Sequence, residues 1–270
     1  MNPVSRFLGR YAIWIYSALA FAFLLVPILY TIVFSFNDYR RSNIVWRGFT
    51  LDNWMYVCDE QDVCESFVAS VGIGAIATVV ATALGTMIAI ALVRYRFRFR
   101  STITLLLFLP MATPEIVLGT GMASQFLGAD ITLGPGTVVL AHILFCISFV
   151  VVTVRARVES LDPSIEEAGR DLYGSPAQVF WRVTFPLLLP GIIAAALLSF
   201  ALSFDDYIIT TFNAGPAFKT FPLYLYGAAS RGMPAEANVI ASAVFFIAIA
   251  VVIASQVSGA AARKRLAKQQ

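Results

Sequence analysis

The stretch Glu159 to Ile192, ESLDPSIEEAGRDLYGSPAQVFWRVTFPLLLPGI, is a polar segment of helix-forming residues set between two apolar runs. Asp162 has the place of an N-cap, with Pro163 at the first helical position. Ile165, Ala168 and Leu172 then recur on one helical face. Ser175 and Gln178 have the spacing of a capping box around Pro176, and the second helix is expected to end or bend near Pro186 and Pro190. The spacing predicts two short helices joined at a turn, lying on a membrane surface rather than in it. A well-capped loop is the plain alternative.

Working outward, the chain has 270 residues, 59% of them hydrophobic and 13% charged, with a mean hydropathy of +0.79. This composition excludes an ordinary soluble domain and fits an all-α polytopic membrane protein. Six apolar segments approach the ~20 residues a bilayer core requires. They cover about 12 to 36, 67 to 93, 102 to 126, 136 to 154, 187 to 209 and 238 to 260. The first is longer than a signal-peptide core and reads as a retained helix.

Lysine and arginine fix the orientation. Arg6, Arg10, the RYRFRFR run with Arg94, Arg96, Arg98 and Arg100, then Arg155, Arg157, Arg170, Arg182 and the basic tail around Lys264 fall on one side. Only Arg40, Arg41, Arg47, Lys219 and Arg231 fall on the other. The positive-inside rule therefore places both termini and the segment 156–186 in the cytoplasm, and 37–66 outside it. Cys58 and Cys64 share that outer loop, where a disulfide can persist; a bridge and two free thiols both remain open. Cys146 reads as a small packed hydrophobe.

The sequence has no phosphate-binding glycine loop of the G-x-x-x-x-G-K-[ST] kind, no metal-ligand spacing and a single histidine. It is therefore not expected to be an enzyme, nor to hold a cofactor or metal of its own. The alternating basic run reads as a membrane-face turn, not a nucleic-acid site. Ionisable residues inside apolar spans are costly and point to function. Glu115, in MATPEIVLGTG, stands about fifteen residues along the third span, or roughly 20 Å at 1.5 Å per residue. Asp205 and Asp206 stand near the outer end of the fifth, followed by Tyr207. With no lysine or arginine in the spans to neutralise them, these carboxylates favour a cationic cargo or a protonated carboxyl. Their structural alternatives are a carboxyl beside the Pro110 and Pro114 break for Glu115, and a solvated cap for Asp206. His142 reads as an interhelical hydrogen-bonding group. Tyr207, Tyr224 and Tyr226 fit an aromatic belt as simply as a cargo path.

The run Glu167, Ala168, Gly169, with Val183, Phe185 and Pro186 downstream, resembles the EAA loop of ABC importer permeases: Glu-Ala-Ala, three residues, Gly, nine residues, Ile-x-Leu-Pro. The spacing agrees throughout. Gly169 replaces the second alanine, Tyr173 stands where the pattern has glycine, and Gly174 is expected to supply the positive φ one residue later. PEIVLG at 114–119, AHILFCISFVVVTVRARVESLDPSIEEA at 141–168, SFDDYIITTFNAG at 203–215 and FPLYLYGAASRGMPAEANVIAS at 221–242 are similar to permeases of the spermidine/putrescine type.

The resemblance implies a type I ABC importer permease fold: one transmembrane domain over 1–270, six helices and a cytoplasmic coupling hairpin. It implies a bacterial inner-membrane location and several partners: two copies of an ATP-binding subunit carrying ATP and magnesium, a second permease, and an extracytoplasmic solute-binding protein. It assigns ATPase coupling to the hairpin, with Glu166, Glu167, Ala168, Gly169, Asp171, Leu172 and Gly174 as its residues. Glu115, Asp205, Asp206 and Tyr207 would line the cargo pathway, for a polyamine or another small organic solute. A secondary carrier with proton-relaying carboxylates would leave the capped hairpin without a use, and a non-transporting membrane scaffold would recruit a cytoplasmic partner without any flux.

Overall fold

The computed structural model describes residues 3–38, 45–59, 61–230 and 232–267. Arg40, Arg41, Arg231 and Lys268, which enter the charge asymmetry, lie outside the described residues, as do parts of the outer loop 37–66. The helices in chain order are α1 (Pro3–Phe34), α2 (Asp52–Met55), α3 (Gln61–Arg94), α4 (Arg100–Ala112), α5 (Glu115–Gly128), α6 (Pro135–Glu159), α7 (Ser164–Asp171), α8 (Pro176–Val179), α9 (Phe185–Phe204), α10 (Ile208–Asn213), α11 (Phe221–Ala229) and α12 (Ala235–Ala267). Among the described residues the only β pairing is the isolated bridge between Asn37 and Phe49.

Five of these helices are long and apolar enough to cross a membrane, and six spans result if the bent pair α4 and α5 counts as one. The third expected span is thus not a straight helix. It bends by 112° between its two halves. Proline accounts for the break: Pro114 disfavours the helical conformation in the preceding residue, and Thr113 is extended at φ −87° and ψ 136°. The Leu109 carbonyl accepts from both the Thr113 N–H at 2.9 Å and the Thr113 hydroxyl at 2.7 Å, which closes the end of α4.

The fifth span also differs from its expected limits. It does not begin beyond Pro186, because α8 runs through a π-helical turn, Phe180–Thr184, directly into α9. A proline ring inside an α-helix strikes the carbonyl four residues earlier. The π turn, closed by the Phe185 N–H on the Phe180 carbonyl, widens the spiral just ahead of Pro186. At its other end α9 stops at Phe204, so Asp205, Asp206 and Tyr207 lie between helices rather than in the span.

The chain forms two compact units. In the unit of residues 65–224, α6 packs along α9 and against α4, α5 and α10. Its core holds Leu92, Ala141, Phe145, Val150, Val154 and Leu188. The close crossing of α3 on α6 depends on Gly85, where an added Cβ would stand 2.6 Å from Val150 Cγ1.

In the unit of residues 1–64 and 225–270, α1 runs against α12. The segment that follows α1 is tied by side-chain amides. Asn53 donates to the carbonyls of Ser35 and Asn37, and Asn37 donates to the Val45 carbonyl while accepting from the Arg47 N–H. Phe36 stacks on both Phe49 and Trp54. Of the two cysteine states left open by the sequence, the structure has the bridge: Cys58 and Cys64 are disulfide-bonded. Cys146 is free and buried.

Candidate functional site

The segment 156–186 keeps its expected caps but not its expected limits. α7 begins at Ser164, and Asp162 Oδ1 accepts from the Ser164 N–H at 2.9 Å. That backbone bond, and then the Ser164 side chain, hold the Asp162 carboxyl below the usual carboxylate range. Ser175 Oγ accepts from the Gln178 N–H at 3.3 Å and Gln178 Oε1 accepts from the Ser175 N–H at 2.9 Å, which is the capping box. Since α8 continues into α9, the segment is one free-standing helix, α7, and a turn leading into a span. The expected surface hairpin of two independent helices is not formed.

The turn after α7 corrects the glycine expectation. Tyr173, not Gly174, has the left-handed backbone, at φ +59°. The Gly174 N–H reaches the Gly169 carbonyl at 3.2 Å and the Tyr173 N–H reaches the Arg170 carbonyl at 2.9 Å, the paired bonds of a Schellman cap. A left-handed conformation costs a residue with a Cβ roughly 1–2 kcal/mol. Gly174 serves packing instead: a Cβ there would lie 2.7 Å from the Gly169 carbonyl oxygen and 3.1 Å from Val179 Cγ2.

The predicted coupling residues divide by environment. Glu166 Oε1 accepts from Arg94 Nη2 at 2.9 Å, joining α7 to the end of α3, with each side chain about four-fifths buried. Glu167, Ala168 and Asp171 are exposed, while Gly169 is half-buried against Val179. Leu172 is 84% exposed and Tyr173 98%. Arg94 was visible in the sequence only as one charge in a basic run, because a contact across 72 positions leaves no local signal.

The second group gathers where α5 meets α10. Asn213 on α10 donates to the Gly119 carbonyl of α5 at 3.2 Å, and Gly119 fits close beneath Phe212 and Ile209. This brings Glu115, the first residue of α5, within electrostatic range of Asp206 and Asp205. Glu115 and Asp205 are exposed and Tyr207 is half-buried.

Asp206 is buried, not the solvated cap of the alternative reading. Its carboxylate accepts from the Ile209 and Thr210 N–H groups at 3.3 and 2.8 Å and from the Thr210 hydroxyl at 3.0 Å, so it caps α10. His142 Nε2 stands 3.3 Å from the same carboxylate and 3.1 Å from Thr210 Oγ1, and its Nδ1 is 2.7 Å from Ser203 Oγ. Thr137 adds a bond to the Asn213 carbonyl at 2.7 Å. A single histidine thus ties α6 to the end of α9 and the start of α10. The helpers Ser203, Thr210 and Thr137 were not singled out from sequence, since hydroxyls are unremarkable in membrane helices.

Residues 81–268 match the family described as binding-protein-dependent transport system inner membrane component. The chain belongs to this family. It is an ABC permease subunit and an inner-membrane component of a bacterial transport system. Among its relatives, the spermidine/putrescine transport system permease protein PotC of Haemophilus influenzae is 32% identical over 253 residues, 94% of this chain and 97% of the relative. PotC of Escherichia coli K12 is 33% identical over 87% of this chain and 89% of its own length. The putrescine transport system permease PotI of the same strain is 33% identical over 83% and 82%.

Solved structures show the fold. A bacterial ABC transporter involved in import of the acidic polysaccharide alginate superimposes with a TM-score of 0.65, covering 96% of this chain and 98% of that one at 19% identity. The MetNI methionine ABC transporter does so at 0.56, covering 76% and 94% at 15% identity. The permease therefore has the all-α architecture of ABC importer membrane subunits expected from its sequence.

Proposed function

We propose that this permease is the membrane subunit of an ATP-driven importer for polyamines of the spermidine and putrescine kind. The observation that carries the reading is the likeness to PotC along nearly the full length of both chains. The exposed carboxylates Glu115 and Asp205 agree with it, because a polyamine presents ammonium groups that an unneutralised carboxylate attracts. Tyr207 beside them offers a ring face to a cation. Asp206 holds the α10 end of the path in place.

The remaining parts follow the same reading. Two copies of a separate ATP-binding subunit, with ATP and magnesium, dock at α7 in the cytoplasm, where both termini also lie. A second permease completes the pathway and an extracytoplasmic solute-binding protein delivers cargo. Closure of the ATPases pushes α7, and the Arg94–Glu166 pair and the continuous α8 to α9 segment pass the movement to the spans. The cycle does work only if its two end states bind cargo unequally.

Reconstitution with the genomically neighbouring subunits in liposomes tests this. Saturable uptake of labelled spermidine and putrescine that requires both ATP and the binding protein is the expected outcome. ATP-dependent transport that ignores polyamines would discard the cargo, and uptake indifferent to ATP would discard the machine.

A further inference from the structure

We infer that Tyr173 is a docking peg, an aromatic side chain held out at the end of α7 to fill an apolar cleft on the ATP-binding subunit. The inference rests on the reading of α7 as the docking helix and adds a contact that the family pattern, with glycine at this position, does not contain.

Three independent features converge on this ring. Tyr173 is a non-glycine residue at φ +59°, so the chain carries a strained backbone where glycine would be free of strain. The cap around it is already complete through the backbone bonds of Gly174 and Tyr173 to Gly169 and Arg170, so the turn does not need the side chain. The ring itself is 98% exposed, beside Leu172 at 84%, and stabilises nothing within this chain by burial. A strained, fully exposed aromatic with an exposed leucine next to it is explained by what covers it.

Charge indicates the kind of cover. The exposed charges of the α7 segment are mostly carboxylates, Asp162, Glu167 and Asp171, against the single exposed Arg170. An anionic inner leaflet would repel that surface, since membrane-facing segments are basic. A protein cleft with an apolar floor and a basic rim fits it, with an acceptor at its base for the phenol O–H.

Glycine and phenylalanine at this position separate docking from structure. The full permease, with its second permease, is held in lipid nanodiscs and titrated with the purified ATP-binding subunit. Tyr173→Gly removes the strain and restores the family's residue, so its thermal unfolding temperature should be unchanged or raised while its affinity for the ATPase falls by on the order of ten- to hundredfold. Tyr173→Phe should bind within about threefold of the parent, because the ring is the anchor and the hydroxyl a lesser contact. Binding by Tyr173→Gly as tight as by the parent overturns the inference. Glu167→Arg serves as control. If it detaches the ATPase while Tyr173→Gly does not, only the peg fails; if neither variant weakens binding, the docking role of α7 fails as well.

Discussion

Asp206 and Asp205 are neighbours in sequence with opposite roles. Asp206 gives its carboxylate to two backbone N–H groups and a hydroxyl at the start of α10, with His142 on its other side, whereas Asp205 faces outward. Removing a buried acceptor that satisfies several donors costs about 1–3 kcal/mol, so Asp206→Ala should lower the thermal unfolding temperature of the purified permease clearly. Asp206→Asn keeps one acceptor oxygen and should fall between the alanine variant and the parent. An alanine variant as stable as the parent would remove the cap from the argument. The role of His142 was legible from its type and position, because an imidazole in an apolar span needs partners. The split between the two aspartates was not, since nothing in SFDDYII marks where α9 ends and α10 begins.

Among the elements, α3 and α6 come together because Gly85 leaves room for Val150. Gly85→Ala should cost about 1–3 kcal/mol through overpacking, measured as unfolding in detergent. In a Val150→Ala background the same change should cost less, since the Cγ1 at 2.6 Å is gone although the Cβ at 2.9 Å remains; equal costs in both backgrounds would show that the Val150 methyl is not what the added carbon strikes. Hydropathy and length were enough to place five spans, and Pro114 marked the weak point of the third. The 112° turn of that span was beyond sequence, because proline specifies which bond is lost and not what the following helix packs on. Asn213 and Gly119 decide that from ninety-four positions apart. The π turn at Phe180–Thr184 likewise has no compositional mark. It follows from Pro186 standing where a helix must nonetheless continue.

At the scale of the whole molecule, two groups of acidic side chains bear on a polyamine importer in different ways. One is the set of exposed carboxylates on and before α7, Asp162, Glu167 and Asp171; the other is the group of Glu115, Asp205 and Asp206 at the meeting of α5 and α10. The sequence showed both groups, but not that Asp206 is committed to its helix and that only Glu115 and Asp205 are exposed. The paired substitution Glu115→Gln and Asp205→Asn keeps shape and removes charge, leaving the Asp206 cap intact. At saturating binding protein, ATP-driven uptake of putrescine should fall by about tenfold, the equivalent of ~1.4 kcal/mol. Uptake of spermidine should fall further, because a trivalent cation loses more attraction than a divalent one to the same missing charges. Unchanged rates for both would end the pathway role of these carboxylates. A fall of one size for both would mark a structural defect rather than lost attraction, so the difference between the two cargoes is the quantity that identifies an electrostatic path.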